Sequence, residues 1–230
     1  MDPEKPNEHV LQDGTKVTVR PIRPTDGEML RAGFDRLSPE SRYRRFFSGM
    51  SELNDRTLRY LTHVDGHNHV AIVAVIDSLD LKLEDGLGVA RFIRLEEDPE
   101  VAEAAVTVVD AAQRKGLGRI LLATLVDRAR ELGVKRFRAE VLRENEPMMK
   151  LLVGAGATIH TTDGTSVVFD VPIENATADA PDEPSLAQRV LRAAASSLTV
   201  FLRTLRPPAL PEDEDGSEEP TATRDEEGEK

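Results

Sequence analysis

The feature that most constrains this chain is a strand-like run, a short basic loop with two glycines, and an amphipathic segment in direct succession. "AAVTVV" at 104–109 leads into "QRKGLG" at 113–118, and "RILLATLVDRARELG" follows to Gly133. The apolar spacing predicts a helix from about Leu117 to Leu132, ended by Gly133. "RFRAEVL" at 136–142 reads as the next strand. Strand, helix and strand at this spacing imply one crossover in a mixed α/β sheet. Amides at a helix N-terminus carry partial positive charge and bind anions, and Gly116 and Gly118 remove side chains that would block close approach. Arg114, Lys115 and Arg119 add charge. The stretch is therefore read as a holder of phosphate or pyrophosphate, set against a tight strand-to-helix turn with solvated basic residues.

The other elements fit such a sheet. "KVTVR" at 16–20 alternates like a strand, and "PIRP" breaks it. Asp26–Arg36 reads as a short helix with Met29, Leu30, Phe34 and Leu37 inward; Ser38 and Pro39 restart another, and a third falls near Asn54–Val64. "HVAIVAVI" at 69–76 is apolar enough for a central strand buried on both faces. "GLGVARFIRL" at 86–95 and "VAEAAVTVVD" at 101–110 are expected as its neighbours, joined as an antiparallel hairpin by "EEDPE". A helix at 145–156 and a last strand at 165–171 complete the domain.

Charge and composition narrow the function. The formal net charge is −12, and residues 211–230 hold ten acidic and two basic residues, a net of −8. The remaining −4 gives no nucleic-acid-binding surface. The chain has no Cys, which removes disulfides, thiolate metal sites and cysteine nucleophiles and fits a cytoplasmic setting. No signal peptide and no apolar run of spanning length is read. His63, His67 and His69 lie near Asp65 in "THVDGHNHV", but the spacing is not that of a helical metal pair, so no metal is expected.

The loop lacks the lysine of a Walker motif and the third glycine of a dinucleotide fingerprint. It fits a third template, Q/R-x-x-G-x-G/A, through Gln113, Arg114, Lys115, Gly116, Leu117 and Gly118. In this it resembles the acyl-CoA-binding motif of the GNAT superfamily of N-acetyltransferases. The resemblance extends to Val108 five residues before Gln113, to Asn145 opening the next helix, to Gly156-Ala157 at its end, and to the element order over residues 15–171. "DGTKVTVRPIRPTDGEML" and "LSPESRYRRFFS" are similar to stretches in the GNAT domain of Pat-type bacterial protein lysine acetyltransferases.

The resemblance implies a GNAT acyl-CoA N-acyltransferase fold and acetyl-CoA as co-substrate, with a primary amine as acceptor. Protein lysine leads; a small amine or amino acid, or a non-catalytic acyl-CoA-binding module, are the alternatives. It implies that Val106 and Val108 line the pantetheine arm, with the Val108 N–H polarising the thioester carbonyl. Residues 113–119, with Arg119, would hold the pyrophosphate, and Asn145 would bond the arm or cap its helix. Glu103, in "VAEAAVTVV", is the candidate general base, because apolar neighbours can raise a carboxyl toward working pH. One departure stands out: Leu152 occupies the position where many small-molecule relatives carry an acid tyrosine, and the only tyrosines are Tyr43 and Tyr60.

The expected organisation is a flexible N-terminus at 1–14, the acetyltransferase domain at 15–172, a linker at 173–185, an amphipathic helix at 186–206 and a disordered acidic tail at 207–230. The helix carries Leu186, Val190, Ala194, Leu198, Phe201 and Leu205 on one stripe and arginines opposite. It packs on its own domain or binds a partner; a membrane surface is the less favoured reading beside so acidic a tail.

Overall fold

The computed structural model describes residues 6–39, 52–77, 84–143, 146–154, 156–162 and 164–173. Eight strands form one mixed sheet. They are β1 (Asn7–Val10), β2 (Lys16–Pro21), β3 (His69–Asp77), β4 (Glu84–Arg94), β5 (Val101–Val108), β6 (Arg136–Leu142), β7 (Thr158–Thr162) and β8 (Ser166–Pro172). Their spatial order is β1-β2-β3-β4-β5-β6-β8-β7. Every neighbour pair is antiparallel except β5–β6, which is parallel. Among the described residues four α-helices follow in chain order: α1 (Gly27–Asp35), α2 (Asp55–Thr62), α3 (Leu117–Glu131) and α4 (Glu146–Gly154).

The parallel pair exists because α3 is the crossover between β5 and β6, as the sequence predicts. Leu117, Leu121, Leu125 and Ala129 recur every fourth residue, and all four are buried. This stripe packs in one core cluster with Ala90, Phe92, Ala102, Ala104 and Val108 of β4 and β5. Leu132 caps the helix, and Gly133 follows it at φ +82°. On the opposite face, α1 and α2 cover β3 and β4 through Met29, Leu30, Phe34 and Leu61. With both faces covered, β3 is buried from Val70 to Val75, as its near-continuous apolar run predicts.

The "RPIRPTD" stretch folds around a buried ion pair. The Arg20 guanidinium donates to both carboxylate oxygens of Asp26, at 2.8 and 2.9 Å, and its Nε donates to Glu84 Oε1 at 3.1 Å. Asp26 also accepts the Arg23 N–H at 2.7 Å. The clamp joins the end of β2, the start of α1 and the start of β4. Its charges are mutually satisfied, which is the condition for burying an arginine.

Two strands depart from the sequence expectations. Residues 7–10, placed in a flexible N-terminus at 1–14, pair with β2 from Asn7↔Val19 to Val10↔Lys16. Their short, half-exposed "NEHV" carries little apolar alternation, and a neighbouring strand supplies the order. β7, "TIHTT", is exposed throughout and pairs only with β8, so no buried face marks it in the sequence. Ile173 is buried and donates its N–H to the Lys135 carbonyl at 2.9 Å. The helix expected from Ser38, beyond its first two residues, the linker from residue 174, the 186–206 helix and the acidic tail lie outside the described residues.

Close approach of α3 to the sheet depends on Gly88. A Cβ there would lie 2.8 Å from the Thr107 carbonyl oxygen and 2.9 Å from Leu121 Cδ1. Gly88→Ala is expected to cost about 1–3 kcal/mol of stability, read as a lower midpoint in chemical denaturation.

Candidate active site

The sheet opens at its parallel pair. β5 and β6 are in register at Val101↔Arg136, Ala102↔Phe137 and Glu103↔Arg138, and there the pairing stops. Beyond this point β5 continues with β4 to Val108, and β6 continues with β8 to Leu142. The closed end is held by the Glu100 carbonyl, which accepts the Lys135 and Arg136 N–H groups at 2.8 and 3.1 Å, and by the Arg136–Asp98 ion pair at 2.9 Å.

Strand alternation decides what faces the gap. Val109 N–H donates to the Leu87 carbonyl, and Leu95 N–H to the Val101 carbonyl, so the odd-numbered residues of β5 bond to β4. The backbone groups of Ala104, Val106 and Val108 therefore point toward β6, whose pairing has ended. The Val108 side chain is buried against α3, near the Cα of Gly118. Gln113 turns back to this edge, donating from Nε2 to the Val108 carbonyl at 3.2 Å and to Asp110 Oδ1 at 2.7 Å.

At the mouth of the gap stands the 113–118 loop. Arg114 has φ +60° and Gly116 φ +90°, so two left-handed residues flank Lys115. Gly116 is the N-cap of α3, and among the described residues no side chain caps it, which leaves the first helical amides open to an anion. Leu117 anchors the loop in the core. Arg114 and Arg119 are exposed, with no ion-pair partner among the described residues. Lys115 instead pairs with Asp13 at 2.9 Å. That bond and the Thr15 amide hold the Asp13 carboxyl down at about 2.

Glu103 lies at the last paired position of β5, with its side chain on the α1/α2 face, the face opposite α3. Its Oε2 is buried and has no hydrogen-bond partner among the described residues. Buried carboxylate oxygens are normally satisfied, which sets this one apart. Arg138, beside it in register, is held by Asp170 through Nε at 2.9 Å and Nη2 at 3.1 Å.

A polar cluster that the sequence does not reveal lines the same face. Arg91 is 3% exposed and donates to His69 Nε2 at 2.9 Å and to the Leu61 carbonyl at 3.1 Å. The second bond places a cation on the last turn of α2, where the helix dipole favours it. Arginine only donates, so His69 Nε2 must accept, and the ring is neutral with its proton on Nδ1. Burial, with Arg91 beside it, pushes His69 down to about 4. Tyr60 packs on His69 with ring centroids 5.2 Å apart. Burial pushes its phenol up; Arg91 opposes that rise and Glu103 adds to it. Tyr60 is thus a protonated hydroxyl near Glu103, although in the sequence only helical spacing surrounds it. An apolar cavity lined by Leu30, Phe34, Val89, Arg91 and Thr107 opens on this side.

The remaining sequence candidates separate clearly. Leu152 is buried against Val141, Val167 and Phe169 and is part of a core. Asn145 lies outside the described residues. In "THVDGHNHV", Asp65 Oδ1 accepts the N–H groups of His67, Asn68 and His69 at 2.8 Å each, so the cluster is a backbone-capping turn. Among the described residues no group of side chains could hold a metal ion.

Residues 36–155 match the acetyltransferase (GNAT) family. The chain belongs to the GNAT family of acetyltransferases. It is 33% identical over 183 residues to acetyltransferase Pat of Mycolicibacterium smegmatis, covering 78% of this chain and 52% of that one. An acetyltransferase of Pseudomonas aeruginosa is 32% identical over 146 residues, 64% of this chain and 77% of its own. The crystal structure of the GNAT domain of S. lividans Pat superposes with a TM-score of 0.63 at 31% identity, covering 73% of this chain and 96% of that one. The chain thus spans about half the length of the mycobacterial relative and nearly all of the isolated domain. Membership implies acetyl-CoA as the co-substrate. No helix among the described residues is long and apolar enough to cross a membrane.

His69 makes a pH test of this cluster. Its folded-state value lies below the ordinary 6.5, so the unfolded chain binds the proton first as pH falls. Its stabilising contribution is complete above pH 6.5 and is lost progressively toward pH 4. His69→Gln keeps an acceptor for Arg91 but cannot titrate. The variant is expected to lose part of the decline in denaturation midpoint between those two pH values.

Proposed function

We propose that this chain transfers an acetyl group from acetyl-CoA to a protein lysine, with Glu103 as general base. The observation that carries the reading is the buried Oε2 of Glu103, without a partner among the described residues, at the point where the sheet opens. The residues present fit an acyl-CoA: an open strand edge for the pantetheine arm, and uncapped amides with the two exposed arginines for the phosphates. Bound there, acetyl-CoA supplies an acyl group activated as a thioester.

Each residue then has a defined task. The amides of Leu117, Gly118 and Arg119, with Arg114 and Arg119, hold the pyrophosphate at the start of α3. The Val106 and Val108 backbone groups pair with the pantetheine arm in place of β6. The Val108 N–H donates to the thioester carbonyl oxygen, where negative charge builds as the amine nitrogen attacks the carbonyl carbon. Glu103 takes a proton from the lysine ammonium, since only the neutral amine attacks. As the new C–N bond forms the C–S bond breaks; the nitrogen releases its second proton to solvent to give the amide, and the sulfur leaves as a thiolate that solvent protonates. A thiol with a value of about 8.5 needs no acid to leave near neutral pH, consistent with a leucine at position 152.

Protein lysine is favoured over a small amine by the match to the mycobacterial Pat and to the S. lividans domain. The acceptor would approach over the α1/α2 face, where Tyr60 feels the Glu103 charge and an apolar cavity opens. A cytoplasmic setting suits a cysteine-free chain.

Glu103→Gln should lower kcat/KM for a lysine peptide by about 10²–10⁴-fold while CoA affinity, measured by titration calorimetry, is retained. Unchanged turnover would remove Glu103 as the base. Quantitative proteomics of acetyl-lysine with and without the gene would identify the acceptors.

A further inference from the structure

The turn between β1 and β2 lies outside the 36–155 segment matched by the family, yet it is docked on the 113–118 loop. Leu11 is buried in the same core cluster as Leu117. Gly14, at φ +83°, donates its N–H to the Leu11 carbonyl at 3.0 Å and closes the turn. At the tip, Gln12 N–H donates to the Lys115 carbonyl at 3.1 Å, and Asp13 Oδ2 meets the Lys115 ammonium at 2.9 Å. Asp13 Oδ1 accepts the Thr15 N–H at 3.0 Å, which fixes the carboxylate. The Gln12 side chain covers Gly116, where an added Cβ would lie 3.7 Å from Gln12 Cγ.

These contacts have a directional consequence. The carbonyl and N–H of a trans peptide point in opposite directions. The Lys115 carbonyl and the Gly116 N–H belong to one peptide. When Gln12 holds the carbonyl toward the turn, the Gly116 N–H is aimed away from it, to the other side of the loop. The loop needs such a hold, because left-handed residues stand on both sides of Lys115, and Arg114 is not a glycine.

We propose that Gln12 and Asp13 are positioning residues of the cofactor site: two bonds from the β1–β2 turn fix the Lys115–Gly116 peptide so that the Gly116 N–H faces the phosphates of the acyl-CoA. The proposal rests on the acyl-CoA reading of this loop. It also gives Lys115 a different part from the one its sequence position implies. Its ammonium is committed to Asp13, which leaves Arg114 and Arg119 as the loop's cations for the phosphates.

Gln12 occupies the second position of the Leu11–Gly14 turn, where proline is favoured. Gln12→Pro therefore keeps the turn and deletes the N–H that orients the peptide. CoA binding to the full chain is measured by titration calorimetry, and thermal melting is followed in parallel. Gln12→Pro is expected to weaken CoA about tenfold and Asp13→Asn about threefold, with melting temperatures held. CoA affinities within about twofold of wild type in both variants overturn the proposal. A lowered melting temperature with unchanged affinity overturns it too, since the turn would then only support the fold. If the wild-type chain itself fails to bind CoA, the cofactor reading falls and the positioning roles fall with it.

Discussion

The structure depends on a parallel pairing that is only three residues long. β5 and β6 meet from Val101↔Arg136 to Glu103↔Arg138, and each then follows a different neighbour. The crossover through α3 forces the two strands to start together. Glu100, Asp98, Lys135 and Arg136 hold that start closed. The antiparallel partners β4 and β8 then draw them apart. The result is a strand edge that β6 no longer pairs, inside an otherwise continuous sheet and beside the start of α3. Unpaired amides are costly when buried, and here a ligand with its own amides and phosphates can satisfy them.

The two faces of the sheet divide the work. On the α3 face, apolar side chains of β4 and β5 meet the Leu117–Ala129 stripe, and the loop is fixed from within. The α1/α2 face carries the charges: Glu103 with its unpartnered oxygen, Arg138 held by Asp170, and Arg91 bridging His69 to the end of α2. β5 serves both, because alternate residues of one strand point to opposite sides. Its even-numbered backbone groups face the gap, and the odd-numbered Glu103 side chain lies on the α1/α2 face. The Arg20–Asp26–Glu84 clamp fixes where α1 enters over that second face.

Much of this architecture is legible in the sequence. The apolar run at 69–76, the hairpin across "EEDPE", the crossover around "QRKGLG" and the helix ended by Gly133 all stand where the periodicity and the glycines place them. β1 and β7 escape such a reading for one physical reason. Neither buries an apolar face, so their order comes from hydrogen bonds to a neighbouring strand and leaves no periodicity to read. Arg91, His69 and Tyr60 are equally silent in the sequence. Their relation spans β3, β4 and α2, and no spacing along the chain encodes it.

The sequence by itself determined the crossover and the chemical character of the loop, since those follow from local periodicity, glycine placement and charge, and its motifs carried the resemblance to the family. Only the tertiary structure decided how these parts meet. It placed Glu103 where the sheet opens, turned the Val106 and Val108 backbone groups into the gap, and committed Lys115 to Asp13, about a hundred residues away. Such contacts depend on register and on which side of a strand each group faces, and both are set by pairing with distant segments of the chain.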